Sequence, residues 1–284
     1  MIVKTLVHSA TVIAMGAILW PLSVAALEPL AVYEDWTQAL IRPDRWRGGE
    51  NATPQEVKRV VTPDHALLLR LRREGLTASD TGSTAAGQFL NTANPTQVTE
   101  IKAAFTVSNL SMIVCAVNNA GLATRARPAQ LVMAKFNDGT QSTPGDRTGD
   151  YFAGVEARRD GSSADPDGVL KVQGFIDRCT DAPCSPFPIA TTVIAKTLAT
   201  TVSVGQSFTL RLQWDQPNHQ FLFGLDDAAD VTLPYAASDT APAQVPFVQV
   251  AVFHATANCT AGAVAIDSAA QVGTVQTNSS AVIP

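Results

Sequence analysis

The stretch Leu210–Asp227, LRLQWDQPNHQFLFGLDD, contains two runs of alternating apolar and polar residues on either side of a polar break. Apolar side chains occupy every second position before the break (Leu210, Leu212, Trp214) and after it (Phe221, Phe223, Leu225). A period of two is typical of a β-strand with one buried face. The break, Asp215–Gln220, is polar and includes Pro217, which cannot donate a backbone hydrogen bond, so it predicts a turn. The stretch therefore predicts an antiparallel hairpin with Trp214 in the core.

Arg211 and Gln213 alternate with the apolar residues of this hairpin and are predicted to face away from the core. Two interpretations of this pair are open. The side chains form a solvated face, or they are candidate ligand contacts on an exposed sheet surface.

Similar short apolar segments recur along the whole chain, separated by Gly, Pro and Asp, and no segment has the pattern of a long amphipathic helix. The sequence therefore predicts an all-β fold, a two-sheet antiparallel β-sandwich of the jelly-roll type. We find no internal repeat or linker, so residues 27–273 are expected to form one domain. Residues 274–284 are expected to be a loose tail. Thr77–Pro95, rich in Ser, Thr, Gly, Ala and Asn, is predicted to be a loop.

The first 26 residues have the features of a secretory signal peptide. A basic start is followed by the mostly apolar Val7–Leu22 and then by small residues at Val24–Ala26. Cleavage there would leave 284 − 26 = 258 residues and remove only Lys4 among the charged groups, so the net charge becomes 19 − 25 = −6. An acidic chain without basic runs argues against nucleic acid and anionic membranes as partners. We expect an exported protein, secreted or periplasmic, with no membrane span in the mature chain and an oligomeric state left open.

The four cysteines allow three pairings. Cys179 and Cys184 are close enough in sequence to close a small loop, which leaves Cys115 to pair with Cys259. Disulfides are expected in an exported protein. A zinc site is disfavoured because the C-x2-C spacing with nearby histidines is missing.

The order of features resembles the concanavalin A-like, or laminin-G-like, jelly roll. The resemblance rests on Trp46 before Arg59–Val61 and the strand Ala66–Leu69, on the late hairpin quoted above, and on the closing strand Phe247–Phe253. It is a likeness of strand pattern, and it implies a fold without assigning a function.

Enzymatic motifs are scarce. Hydrolases of this fold carry E-x-D-x-E or E-x-D-x-x-E on one strand, which places an acid and a nucleophile on the same face, and neither pattern occurs here. The nearest pair, Glu156 and Asp160, is predicted to be solvated. The histidines of the mature chain, His65, His219 and His254, have no identifiable nucleophile beside them.

Calcium is the one candidate cofactor. Asp165 and Asp167 lie two residues apart on a loop that ends in Gly168, with Asp146 and Asp150 in the preceding loop, and carboxylates suit this cation. The same residues are ordinary turn formers, and the later Glu of an EF-hand is missing.

We expect a non-enzymatic recognition protein, lectin-like, that binds a glycan or another extracellular surface. Trp36, in a polar setting, is the candidate platform, whereas Trp46 is expected in the core. The alternatives are a polysaccharide-acting glycoside hydrolase and a structural envelope or surface protein. Two carboxylates within reach of each other on one sheet face would favour the hydrolase. Exposed Trp or Tyr without such a pair would favour the lectin. If both features are missing, the structural protein is favoured.

Overall fold

The computed structural model describes residues 28–51, 56–74, 82–114, 117–184, 191–259 and 265–283. The predicted signal peptide, 1–26, lies outside the described residues. In the described part of the chain, no helix has the length and apolar character needed to span a bilayer.

The described residues form fifteen strands. In chain order these are β1 (Leu30–Glu34), β2 (Trp46–Asn51), β3 (Glu56–Val61), β4 (Leu67–Glu74), β5 (Ser83–Thr92), β6 (Glu100–Ile113), β7 (Arg125–Asn137), β8 (Asp150–Asp160), β9 (Val169–Arg178), β10 (Thr191–Ser203), β11 (Ser207–Asp215), β12 (Gln220–Leu225), β13 (Val231–Pro234), β14 (Ala241–Ala257) and β15 (Ala265–Asn278). The helices among these residues are two 3-10 turns of three residues each, Gln216–Asn218 and Ser279–Ala281.

The strands form two sheets. The eight-stranded sheet has the order β13-β12-β11-β6-β15-β4-β3, with β1 also paired to β15, and the seven-stranded sheet has the order β10-β9-β8-β7-β14-β5-β2. The strand pairs are antiparallel, and several neighbours in the sheets are distant in sequence. The predicted all-β jelly-roll sandwich is confirmed.

The core lies between the two sheets and follows from the period-two pattern. In β4 of the eight-stranded sheet, Leu67, Leu69 and Leu71 are fully buried. In β14 of the seven-stranded sheet, the buried inward residues include Val248 and Val250. Because alternate side chains of a strand point to opposite faces, each strand also presents a second set of side chains to the outside of the sandwich.

The predicted hairpin is confirmed. β11 pairs with β12 from Leu210 opposite Leu225 to Asp215 opposite Gln220, and the 3-10 turn at Gln216–Asn218 joins the two strands. Trp214 is half-buried and packs against the edge of the core.

Two local predictions were wrong. Strand β5 occupies Ser83–Thr92, inside the predicted loop Thr77–Pro95. Its small and polar residues have low strand propensity, but the strand lies between β14 and β2, and pairing on both edges outweighs that propensity. The predicted loose tail is also corrected, because β15 continues to Asn278, whose side-chain Oδ1 accepts a hydrogen bond from the backbone N–H of Thr99 at 2.9 Å.

Candidate functional site

A depression of about 380 Å³ lies on the outer face of the seven-stranded sheet, and we call it the groove. Its floor consists of the outward side chains of β5, β7, β8, β9 and β14, such as Phe247, Gln249 and Phe253 on β14. These residues alternate with the buried valines of the same strand. The alternation that points the valines into the core therefore also points these side chains into the groove.

Aromatic rings on this face lie against glycines of the neighbouring strands. A Cβ atom on each glycine would collide with a ring carbon of the partner: Gly49 with Phe89 Cε2 at 2.5 Å, Gly87 with Phe253 Cδ2 at 2.7 Å, and Gly154 with Phe175 Cε1 at 2.7 Å. The missing side chains make room for the rings. Phe152 adds a fourth ring, 6.3 Å from the ring centre of Phe175 in an edge-on arrangement. The groove therefore has a broad apolar floor.

A buried carboxylate lies beside this floor. Glu156 on β8 is only 1% exposed, so the prediction that this carboxylate is solvated is wrong. Its Oε2 atom accepts a hydrogen bond from Gln130 Nε2 at 3.0 Å and lies 3.0 Å from Arg127 Nε, while Oε1 lies 3.5 Å from Arg158 Nη1. Two cations and one amide therefore surround the carboxylate oxygens, as burial of a charge requires.

Two arginines of the groove lie over aromatic rings. The guanidinium carbon of Arg127 is 5.2 Å from the ring centre of Phe253, and that of Arg147 is 5.1 Å from the ring centre of Phe247. The Nε atom of Arg147 lies 3.9 Å from Asp150, a long ion pair. Burial lowers the pKa of Arg147 from its ordinary value, although a guanidinium stays charged in a protein.

Asp177 on β9 is the other carboxylate of the groove. Burial raises the pKa of this carboxyl to about 6, against smaller lowering effects of a hydrogen bond with Thr192 and of the nearby charge of Arg127. Its Oδ1 atom is buried and has no hydrogen-bond partner among the described residues. Burial therefore favours the neutral form of Asp177 more than that of an exposed aspartate.

The rim of the groove is closed by the disulfide loop Cys179–Cys184, which confirms that predicted pair. Pro183 and Cys184 line the groove. Backbone hydrogen bonds tie this loop to the segment before β8: Arg147 N–H donates to Ala182 O at 3.0 Å, and Gly149 N–H donates to Cys179 O at 2.9 Å. The disulfide loop and Arg147 therefore hold each other in place.

The second predicted pair lies partly outside the described residues. Cys115 is not among them, and Cys259 is buried and disulfide-bonded.

The predicted tryptophan platform is not on the surface. Trp36 is 1% exposed, stacks on Trp46 with ring centres 5.5 Å apart, and donates from Nε1 to Gly273 O at 2.7 Å. Trp46 is in the core, as expected. The candidate role of Trp36 as a ligand contact is therefore wrong, because the ring fills the interior near β1 and β2.

Arg211 and Gln213 lie on the outer face of the eight-stranded sheet, on the opposite side of the sandwich from the groove. Arg211 donates to Glu100 Oε1 at 2.6 Å and to Gln213 Oε1 at 2.8 Å, and it also pairs with Asp230. Gln213 is buried. The pair thus belongs to a polar network that ties β6, β11 and the loop after β12 together.

The aspartates proposed for calcium have cationic partners. Asp165 Oδ2 accepts from Ser163 Oγ at 2.6 Å and lies 3.3 Å from Lys171 Nζ, while Asp167 Oδ1 lies 3.1 Å from Arg159 Nη2. Within the described ranges, no three His, Cys, Asp or Glu side chains are grouped so that they could hold a metal ion. The loop is therefore explained as a turn held by ion pairs.

The histidines do not enter the groove. His254 is fully buried between the sheets, where its Nε2 atom lies 2.7 Å from Ser268 Oγ, and burial lowers its pKa to about 3. Ser268 is also fully buried, so a substrate cannot reach this serine–histidine pair. His219 lies at the hairpin turn with Nδ1 3.1 Å from Asp239 Oδ2.

Sequence reasoning missed the residues of the groove: the phenylalanines, Arg127, Arg147 and Asp177. The alternation in β14 could have identified Phe247 and Phe253 as outward. The glycines under the rings belong to other strands, and their pairing partners follow only from the sheet order.

No protein-family model matches the chain, and no curated protein sequence does either. Solved structures do resemble it. The catalytic domain of an endo-1,3-β-glucanase (laminarinase) from Thermotoga petrophila RKU-1 has 10% identity and a TM-score of 0.45, with 88% of this chain and 98% of that chain covered. Lectin II from Ulex europaeus has 11% identity and a TM-score of 0.32, with 80% and 98% covered. LamAcat from Zobellia galactanivorans has 9% identity and a TM-score of 0.42, with 84% and 95% covered.

At these identities and TM-scores the similarities carry no argument about activity. The two sheets by themselves define the class, an antiparallel jelly-roll sandwich. This sandwich has an aromatic groove on the outer face of its seven-stranded sheet.

Proposed function

We propose that the protein is a non-enzymatic recognition protein that binds a glycan chain in the groove. Sugar rings have apolar faces bordered by hydroxyl groups, and sites that bind them combine aromatic surfaces with a few placed polar groups. The groove has this composition. Phe89, Phe247 and Phe253 supply half-buried rings, and the neighbouring polar side chains include Asn91 and Gln249.

Two features of the carboxylates support binding over hydrolysis. Glu156 on β8 pairs with Gln173, whereas Asp177 on β9 pairs with Phe152, four residues away from Glu156 along β8. At about 3.4 Å per residue, these backbone positions are roughly 14 Å apart along the strands. Glycosidases need their two carboxyl groups about 5–9.5 Å apart, so Glu156 and Asp177 would have to extend toward each other along the strands to act as a pair. In addition, Gln130, Arg127 and Arg158 already surround the oxygens of Glu156.

One observation favours a glycoside hydrolase as the second candidate. The raised pKa of Asp177, about 6, would suit a general acid at mildly acidic pH. A hydrolase would then need a second carboxylate brought to the substrate when the substrate binds.

We also propose that the protein works after export, as the signal-peptide pattern predicts. The disulfide at the rim of the groove supports this, because disulfides persist in oxidising compartments and are rare in the cytosol.

A glycan array and an assay for newly released reducing ends test the proposal on the same purified protein. We expect binding without release. Phe253→Ala should weaken binding roughly tenfold, because the ring provides floor area, while Leu40→Ala, an exposed residue outside the groove, should not change it. Circular dichroism of each variant separates loss of the ring from loss of the fold.

Three outcomes separate the candidates. Release of reducing ends that Asp177→Asn abolishes would establish the hydrolase. Binding that is indifferent to Phe253→Ala would place the ligand elsewhere. Binding to no glycan would favour a structural envelope or surface protein.

A further inference from the structure

We infer that the groove selects acidic glycans, whose carboxylate or sulfate groups bind Arg127 and Arg147. This inference rests on the proposed glycan binding and names its ligand class. The shared chemistry is an oxyanion carried on a sugar chain.

Arg147 has unused hydrogen-bonding capacity at the groove. It lines the groove, and within the described residues its side chain donates no hydrogen bond and has one ion pair, the 3.9 Å contact of Nε with Asp150. A guanidinium group carries five N–H donors in a planar fork. The buried Nε atom of Arg147 has no hydrogen-bond partner among the described residues, and leaving a buried donor unpaired is costly.

Arg127 repeats this arrangement across the groove. Its Nε atom lies 3.0 Å from Glu156 Oε2, and its side chain makes no further ion pair with a described residue. Two arginines elsewhere in the sandwich have several partners each. Arg70 donates to Asp267 and Glu56, and Arg211 donates to Glu100, Asp230 and Gln213.

The aromatic rings fix how these two guanidinium groups are presented. Arg127 lies over Phe253 and Arg147 over Phe247, at 5.2 and 5.1 Å from the ring centres. Contact with a ring face supports the cation and limits the motion of its side chain. A guanidinium group held in this way can bind a carboxylate or sulfate through two parallel hydrogen bonds.

The local charge also suits an anion. The ionisable residues that line the groove are Arg127, Arg147 and Asp177, a balance of two positive charges against one. Glu156 beside Arg127, and Asp150 and Asp181 near Arg147, offset part of this charge. The protein as a whole has a net charge of −5, so this lining has the opposite sign to the molecule. The rings between the two arginines would contact the sugar faces while the arginines bind the acidic substituents.

Isothermal titration calorimetry with matched ligands tests the inference. The ligands are a polygalacturonate oligosaccharide, the same oligosaccharide with its carboxyl groups reduced to alcohols, and a sulfated and an unsulfated galactan oligosaccharide of equal length. We expect at least one acidic ligand to bind roughly tenfold or more tightly than its neutral counterpart, since charge-assisted hydrogen bonds are the stronger ones. Which acidic ligand binds tells carboxylate from sulfate.

Arg147→Gln should remove most of the difference in affinity between acidic and neutral ligands. Arg147→Lys, which keeps the charge without the planar fork, should restore part of it. Arg42→Gln, at a half-buried arginine paired with Asp44 outside the groove, is the matched control and should change nothing.

The ways in which the test can fail are distinguishable. Equal binding of acidic and neutral ligands, or a preference that survives Arg147→Gln, would overturn the inference and leave glycan binding intact. No binding of any of the four ligands, together with an empty glycan array, would overturn both.

Discussion

The ring of Phe175 lies against Gly154 on the neighbouring strand, so that a Cβ atom on Gly154 would be 2.7 Å from the Cε1 atom of the ring. β8 and β9 pair these two residues directly. The glycine therefore determines the height of the ring above the sheet, and with it the depth of the floor.

Replacement of this glycine should make the groove shallower. In Gly154→Ala the new methyl group must displace the ring of Phe175, so we expect roughly tenfold weaker glycan binding and a loss of about 1–3 kcal/mol in the free energy of unfolding, the usual cost of overpacking. Calorimetry and urea denaturation measure the two effects. Gly273→Ala on the other sheet, where the nearest atom, Ala104 Cβ, is 3.3 Å away, is the control. Unchanged affinity in Gly154→Ala would show that the ring does not contact the ligand.

Affinity for an acidic glycan should rise as the pH falls through about 6. Asp177, with its pKa raised to about 6 by burial, loses its negative charge there, while the carboxylates of the ligand stay ionised. The charged groups that act on it include Arg127 and Arg125 on β7 and Glu156 on β8, and Thr192 on β10 bonds to it. We expect a several-fold gain between pH 7 and pH 5, measured by calorimetry.

The affinity of Asp177→Asn for the same glycan should not change between pH 7 and pH 5. The exposed Asp167→Asn should keep the slope of the wild type. A slope that persists in Asp177→Asn would assign the pH dependence to another group.

Stability should fall on acidification because of His254. Its folded-state pKa of about 3 lies below the ordinary value of 6.5, so below pH 6.5 the unfolded chain binds a proton that the folded protein does not. The stability contributed by the neutral ring is complete above pH 6.5 and declines as the pH falls towards 3. pH 5 lies 1.5 units below the unfolded pKa of 6.5, so the free energy of unfolding should fall by about 2 kcal/mol at pH 5.

Urea denaturation of wild type and His254→Gln at pH 7 and pH 5 isolates this effect. The raised pKa of Asp177 acts in the opposite direction, and it cancels because both proteins contain it. Equal pH dependence in the two proteins would contradict the assignment to His254.

Removal of the rim disulfide should lower both the stability of the protein and its affinity for the glycan. The loop Cys179–Cys184 is short, so the double replacement of both cysteines by alanine should cost about 2 kcal/mol of stability. Glycan affinity should fall as well, because Ala182 would no longer hold the backbone N–H of Arg147 in place. Thermal unfolding and calorimetry of the double variant give both values. Affinity equal to that of wild type would show that the rim does not contribute to binding.

The sequence predicted the fold better than the site. The alternation of apolar and polar residues was enough to predict the late hairpin and the buried leucines of β4, because a period of two indicates a strand with one buried face. β5 was missed because STAAGQFLNT has small and polar residues, and its pairing with β14 and β2 cannot be inferred from local propensity.

The candidate site could not be derived in the same way. Trp36 was expected at the surface because its neighbours in sequence are polar, yet its ring stacks on Trp46 in the interior. Arg211 was correctly placed outside the core, but only the sheet order reveals that Glu100 and Asp230 bind it. The groove joins residues of five strands, and the order of these strands in the sheet cannot be predicted from any single segment of the sequence.

Strand β14 also bears on how this protein can evolve. Between Gln249 and Ala257 its pairing with β5 is continuous, with Phe253 outward and Val252 inward. Substitutions at outward positions can therefore alter ligand preference with little effect on the interior, so the two properties can diverge independently under selection. Insertion or deletion of a single residue would exchange the two faces at once, so new specificities in this lineage should arise by replacement of residues in β14 rather than by change of its length.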